Sequence, residues 1–144
     1  MSAQPLILEK IFNAPVHKVW EALSNRDQMK QWYFDIAEFK PEVGFSFSFL
    51  AGDGEKKYLH LCRITEVIPD KKLSYSWRYD GYTGDSEVSF ELFAVGDQTR
   101  LVLTHKGLET FPSEINPDLA SQNFLKGWTH FMHTALRNFV EKEQ

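Results

Sequence analysis

The stretch Leu73-Ser74-Tyr75-Ser76-Trp77-Arg78-Tyr79 alternates large apolar side chains with small or charged ones. Successive side chains of a strand point to opposite faces, so this stretch predicts a strand with one strongly aromatic face. The same period of two recurs on either side. Upstream, Phe45, Phe47 and Phe49 alternate with Ser46 and Ser48, and Gly52-Asp53-Gly54 turns the chain into a long apolar run, Lys57–Ile68, that ends at Pro69-Asp70. Downstream, Val88, Phe90 and Leu92 alternate with Glu87, Ser89 and Glu91. Gly96-Asp97 then leads into Thr99–His105, where Leu101, Leu103 and His105 share a face. Five strands in close succession predict an antiparallel meander. In Lys57–Ile68, Leu59, Leu61 and Arg63 compete with Tyr58, His60 and Cys62 for the inward face, and periodicity leaves both readings open.

Working outward, Leu6–Asn13 reads as a first strand that stops at Ala14-Pro15. Pro15 suits the first turn of a helix, where its missing N–H costs nothing. Val16, Val19, Trp20 and Leu23 then fall at i, i+3, i+4 and i+7, the spacing of one helical face. Asn25 followed by Gln28 resembles a capping box that opens a second short helix through Met29 to Trp32. At the other end, Asn116-Pro117 gives a cap and a helix-starting proline. Phe124, Trp128, Phe131, Met132, Ala135 and Phe139 follow as a broad apolar stripe running to Val140. Only that long helix is large enough to cover the apolar face of the sheet. The predicted fold is therefore α+β, a curved antiparallel sheet wrapped around a C-terminal helix, with two short helices after the first strand. No linker or repeat interrupts residues 1–144, which read as a single domain.

The composition narrows the functional classes. Of 144 residues, 42% are hydrophobic and 25% charged, as expected for a globular chain, but 12 Phe, 5 Tyr and 4 Trp make it unusually aromatic. Sixteen basic against 20 acidic residues give a net charge of −4, and Lys56-Lys57 and Lys71-Lys72 are isolated among acidic neighbours. A nucleic-acid partner, which demands a basic footprint, is not expected. Cys62 is the single cysteine, which excludes an internal disulfide and a multi-thiolate metal site. The first ten residues lack a basic stretch followed by a long apolar run, and no segment approaches about 18 consecutive apolar residues. The expectation is a cytoplasmic protein with no membrane span.

The order of these residues resembles the helix-grip superfamily of START and Bet v-type domains, also called SRPBCC. Within it the chain is most similar to the group homologous to the activator of the 90-kDa heat-shock chaperone ATPase. The resemblance rests on Phe12-x-Ala14-Pro15-x-x-x-Val19-Trp20-x-Ala22-Leu23, then Trp32-Tyr33, Glu66-Val67-x-Pro69 and Leu73-x-x-x-Trp77. Thr99-Arg100-Leu101-x-Leu103-x-His105 and Gly127-Trp128 complete it. It implies the fold derived above, and a hydrophobic ligand held between sheet and helix. Two other roles occur in the family, cyclase-type catalysis and cochaperone binding. The family often has a small residue near Cys62, so the resemblance implies a different wall there.

The candidate site is the space between the sheet and the last helix. Phe45, Phe47, Phe49, Tyr75, Trp77, Phe90, Leu92 and Leu103 supply the predicted sheet wall. Trp128, Phe131, Met132 and Ala135 supply the predicted helix wall, and His105 with the Tyr75 hydroxyl is expected to orient a polar end of the ligand. The same side chains could equally fill the space as core. The expected ligand is a small hydrophobic or aromatic molecule. The alternatives are a chaperone or other protein partner on the outer surface, or a cyclase- or hydrolase-type enzyme using the same pocket. His105 and His60 are the acid–base candidates, but no GxSxG elbow or phosphate loop occurs and no cofactor is expected. His130 and His133 are three apart on the last helix, too few ligands for zinc, so no metal is expected. Tyr82 and Phe111, beside Gly81, Gly84 and Gly107, mark two loops that could form a lid or partner site.

Overall fold

The computed structural model describes residues 5–33, 36, 38–53, 56–111 and 121–141. Strands β1 (Leu6–Phe12), β2 (Ser46–Asp53), β3 (Lys56–Ile68), β4 (Lys72–Tyr79), β5 (Ser86–Val95) and β6 (Gln98–Lys106) form one antiparallel sheet. Its order, β1-β6-β5-β4-β3-β2, is a meander closed on one side by the first strand. β1 and β2 are free edges, so the sheet curves without becoming a barrel.

Helices α1 (Val16–Ser24) and α2 (Arg26–Trp32) follow β1. Pro15 proves to be the N-cap rather than the first helical residue: its ψ of 156° is extended, and its carbonyl accepts from the Lys18 and Val19 amides. Asn25 Oδ1 accepts the Gln28 amide at 3.2 Å and starts α2 as its sequence predicts. The Trp32 indole donates to the Ala22 carbonyl and fixes the two helices against each other.

Burial decides between the two candidate faces of β3. His60, Cys62 and Ile64 face the core, while Arg63 faces out. A bulge between Ile64 and Glu66 then inserts Thr65 and switches the parity, so Val67 rather than Glu66 packs on the core. One extra residue moves the later side chains to the other face, while Leu59 and Leu61, ahead of the bulge, are half-buried on the outer face.

The C-terminal helix comprises α3 (Ser121–His130), a π-helical stretch (Phe131–Leu136) and α4 (Arg137–Glu141). The predicted cap at Asn116-Pro117 lies outside the described residues. Among the described side chains of this helix, Phe124, Trp128, Met132, Leu136 and Val140 are buried, a strict step of four. An α-helix overshoots by roughly 40° every four residues, so such a stripe would drift by roughly 160° over four steps. The i→i+5 bonding of the π stretch turns less per residue and takes up part of that drift. Phe131, Ala135 and Phe139, predicted on the central stripe, are consequently half-buried flanks, and Leu136 takes their place in the core.

Candidate functional site

The concave face of the sheet meets the helix through aromatic rings. Trp77 and Phe90 lie 5.5 and 5.8 Å from Trp128, centroid to centroid. The predicted sheet and helix walls therefore touch, and at this level their rings fill the space between them. Phe47, Phe49 and Tyr75 continue the wall toward β2, with Phe47 edge-on to Tyr75 at 5.1 Å. Phe45 precedes β2 and is half-buried. Leu103 stands opposite Phe90, whereas Leu92 stands opposite Leu101, toward the end of β5 and β6 that packs under α1. Met132 is buried behind Trp128, and Phe131 lies beside it at 6.0 Å.

Tyr33, at the end of α2, was not among the predicted wall residues, although it belongs to the Trp32-Tyr33 pair of the resemblance. It stacks on Trp128 at 6.0 Å, meets Phe131 edge-on at 5.0 Å, and shares a 2.8 Å hydrogen bond with the Tyr75 hydroxyl. It is thus the ring that joins sheet, α2 and C-terminal helix. Burial raises the phenol pKa of both tyrosines well above its ordinary value.

His105 is fully buried, and its hydrogen bonds determine its tautomer. An indole N–H can only donate, so Nδ1 must accept the 3.0 Å bond from Trp128 Nε1. The proton therefore sits on Nε2, which donates to Ser86 Oγ at 2.8 Å. Ser86 in turn donates to the Trp77 carbonyl at 2.7 Å. This chain of three bonds links the helix to β6, β5 and β4. Desolvation lowers the His105 pKa to about 3, so the ring is neutral at pH 7. Both nitrogens predicted to orient a ligand are engaged within the protein. An acid–base role would first have to break one of these bonds.

The second histidine sits in a box of rings. His60 stacks on Phe49 at 4.5 Å and meets Tyr79 at 4.7 Å and Trp77 at 5.0 Å. Its Nδ1 donates to the Tyr58 carbonyl at 2.9 Å, and burial lowers its pKa to about 4. The Tyr79 hydroxyl accepts from the Trp77 indole at 3.0 Å. Burial pushes the Cys62 thiol well up, which leaves it an inert hydrophobe.

Hydrogen bonds tie Asp85, at the end of the first glycine-bearing loop, to the described part of the second. Thr110 Oγ1 accepts the Asp85 amide at 2.8 Å and donates to the Gly107 carbonyl at 2.6 Å. Phe111 is buried, stacked on Phe124 at 5.7 Å, and caps the core. Tyr82 is 37% exposed and leans on Tyr58. His130 and His133 are both exposed, and among the described residues no group of three or more His, Cys, Asp or Glu could hold a metal. No described helix is long and apolar enough to cross a membrane.

A curved antiparallel sheet gripping a C-terminal helix through an aromatic interface defines an α+β helix-grip, or SRPBCC-type, domain. Residues 13–141 match the family described as Activator of Hsp90 ATPase homolog 1-like protein, and the chain belongs to that family. Solved structures agree on the fold. Protein MLL2253 of Mesorhizobium loti is 24% identical with a TM-score of 0.79, over 98% of this chain and 99% of its own. Protein BH1534 of Bacillus halodurans is 26% identical with a TM-score of 0.75, over 98% of this chain and 100% of its own. DynU16, a protein in the dynemicin biosynthetic locus, is 21% identical with a TM-score of 0.76, over 97% of this chain and 48% of its own. No match was found among curated protein sequences.

Proposed function

We propose that the chain binds a small apolar or aromatic molecule between the sheet and the C-terminal helix, on the Tyr33 side of Trp128. The observation that carries this reading is the makeup of the interface. Rings with polar tips, Tyr33, Tyr75, Tyr79, Trp77 and Trp128, gather where aliphatic side chains would serve a core equally well. Such a surface offers a ligand stacking partners and a few fixed polar groups, the usual makeup of a small-molecule site. The π-helical stretch runs beside Trp128 and supplies Phe131, and π-bulges recur at functional sites. Family membership and the helix-grip fold support the same reading.

Native mass spectrometry of gently purified protein tests it, followed by titration with fatty acids and polycyclic aromatics read by tryptophan fluorescence. An added mass that disappears on denaturation, or a saturable quench, is expected. A bare mass together with no saturable response across the panel would overturn the reading.

A second reading, a protein-interaction module, draws support from the outer face of β1 and β5. Ile7, Ile11, Phe93 and Val95 are exposed there. Stimulation of the ATPase of a 90-kDa heat-shock chaperone by this chain is its test, with an unchanged rate counting against it.

A further inference from the structure

We propose that the outward face of β2, β3 and β4 carries a binding site for a small oxyanion, a phosphate group being the ligand class it fits. The strand register assembles it. Ser46 stands opposite Arg63, which stands opposite Ser76, and one step along, Ser48 stands opposite Leu61, which stands opposite Arg78. All six face away from the C-terminal helix, because Phe47, Cys62, Trp77 and their alternates take the core face. They line a surface groove of about 580 Å³ together with Asp85. Arg63 and Arg78 are diagonal neighbours on adjacent strands, so their Cα atoms are separated by about 7–8 Å and their long side chains can converge on one anion.

Charge pairing singles out this groove. The chain has five arginines. Arg26 pairs with Asp27, Arg100 with Glu9 and Arg137 with Glu141. Among the described residues, Arg63 and Arg78 alone of the five have no carboxylate within ion-pair distance. Glu87 is next along the Arg63 row, but Lys106 holds one of its oxygens at 3.2 Å and the Thr65 hydroxyl holds the other at 2.8 Å. Asp85 leaves the groove with a net positive charge on a chain whose overall charge is −4. Guanidinium groups present planar forks that match phosphate oxygens, and the Ser46 and Ser48 hydroxyls stand beside them as further donors. The ligand of the aromatic interface plays no part in this site.

The test is a titration of the ¹⁵N-labelled chain with inorganic phosphate at constant ionic strength, followed by amide shifts. Saturable shifts confined to Ser46, Ser48, Leu61, Arg63, Ser76 and Arg78 are expected. Arg63→Gln and Arg78→Gln should each weaken binding about tenfold or more, the usual scale for one charge-assisted hydrogen-bonding group. Both side chains are exposed, so an unchanged spectrum elsewhere confirms that the variants fold. Phenyl phosphate binding more tightly than inorganic phosphate would point to a phosphate ester, and equal binding to the free anion. Citrate binding as well as phosphate would overturn the phosphate assignment. The site itself is overturned by no saturation up to ~10 mM, well above a millimolar dissociation constant. It is equally overturned by shifts spread over the surface lysines, or by undiminished binding in both variants.

Discussion

Two buried neutral histidines make the stability of this protein strongly dependent on acid. His60 and His105 titrate near 4 and 3 in the folded chain, because burial penalises their charged forms. In the unfolded chain both return to an ordinary value of about 6.5. Below that value the unfolded state binds more protons than the folded one, so stability is present above about pH 6.5 and declines as pH falls. At pH 5 the unfolded histidines are almost fully protonated and the folded ones almost fully neutral. Each unit of separation is worth about 1.36 kcal/mol, so each histidine costs about 2 kcal/mol between pH 7 and pH 5. The pair together costs about 4 kcal/mol, a large part of a typical domain's stability. His17 acts in the opposite sense. Its hydrogen bond to Asp70 raises its pKa, so its contribution is present at low pH and lost as pH rises. Its full exposure keeps that contribution small. Urea unfolding at pH 7 and pH 5 measures the difference directly. His105→Gln, whose amide can accept from Trp128 and donate to Ser86, should remove about half of the pH dependence. His60→Gln should remove about the other half. A stability that is flat from pH 7 to pH 5, or a slope that both variants leave unchanged, would refute the reasoning.

The period-four stripe of the C-terminal helix predicts an asymmetry between neighbours. Leu136→Ala should destabilise by about 2–5 kcal/mol, the cost of a buried leucine cavity, whereas half-buried Phe139→Ala should cost visibly less than the usual ~3–5 kcal/mol for phenylalanine. Equal losses in denaturant melts would contradict the stripe. Among the glycines with positive φ, Gly84→Ala should be the more damaging change and Gly81→Ala the milder. An added Cβ at Gly84 would lie 2.6 Å from Phe111 and 2.7 Å from the Thr110 carbonyl, and at Gly81 it would meet nothing within 4 Å. At Gly81 only the left-handed backbone penalty of roughly 1–2 kcal/mol applies. A melting temperature lowered more by Gly81→Ala would overturn this reading of the loop.

The strands were legible because alternation is local. Phe47 and Phe49, Tyr75 and Trp77, and Phe90 and Leu92 each reveal their face within a few residues. The parity switch at Thr65 was not legible, since one inserted residue carries no signature of its own and is defined only by its pairing with β4. Leu136 was missed for a different reason. An α-helical wheel rotates it off the stripe, and the signal that would have recovered it is the unbroken step of four from Phe124 to Val140. Alternation groups the wall residues on one apolar surface, but does not give their state. Whether rings line a cavity or fill it depends on distances such as the 5.5 Å between Trp77 and Trp128, which no pattern contains. The role of His105 was equally hidden, because its partners Trp128 and Ser86 meet it only through the fold.

That filled interface sets a condition on the proposed ligand. Trp77 and Trp128 are tied into the core by indole hydrogen bonds, to Tyr79 and His105 respectively, and either ring would leave buried groups unpaired if it moved. Tyr33 is different: it comes from the end of α2 rather than from either wall, and its bond to Tyr75 links two hydroxyls. Withdrawing it sacrifices one hydrogen bond of about 0.5–1.5 kcal/mol and ring contacts of similar size. Roughly 100 Å² of buried ligand surface would offset about 2.5 kcal/mol of that at 25 cal/mol per Å². A ligand that also places a polar atom against the Tyr75 hydroxyl would recover the bond. Tyr33→Phe separates the two costs, because it keeps the ring and removes only its hydroxyl. It should lower stability by about 1 kcal/mol while making ring displacement easier, so apolar ligands should bind more tightly than to the unaltered chain. Weaker binding to Tyr33→Phe would mean that the hydroxyl itself contacts the ligand and that Tyr33 does not give way.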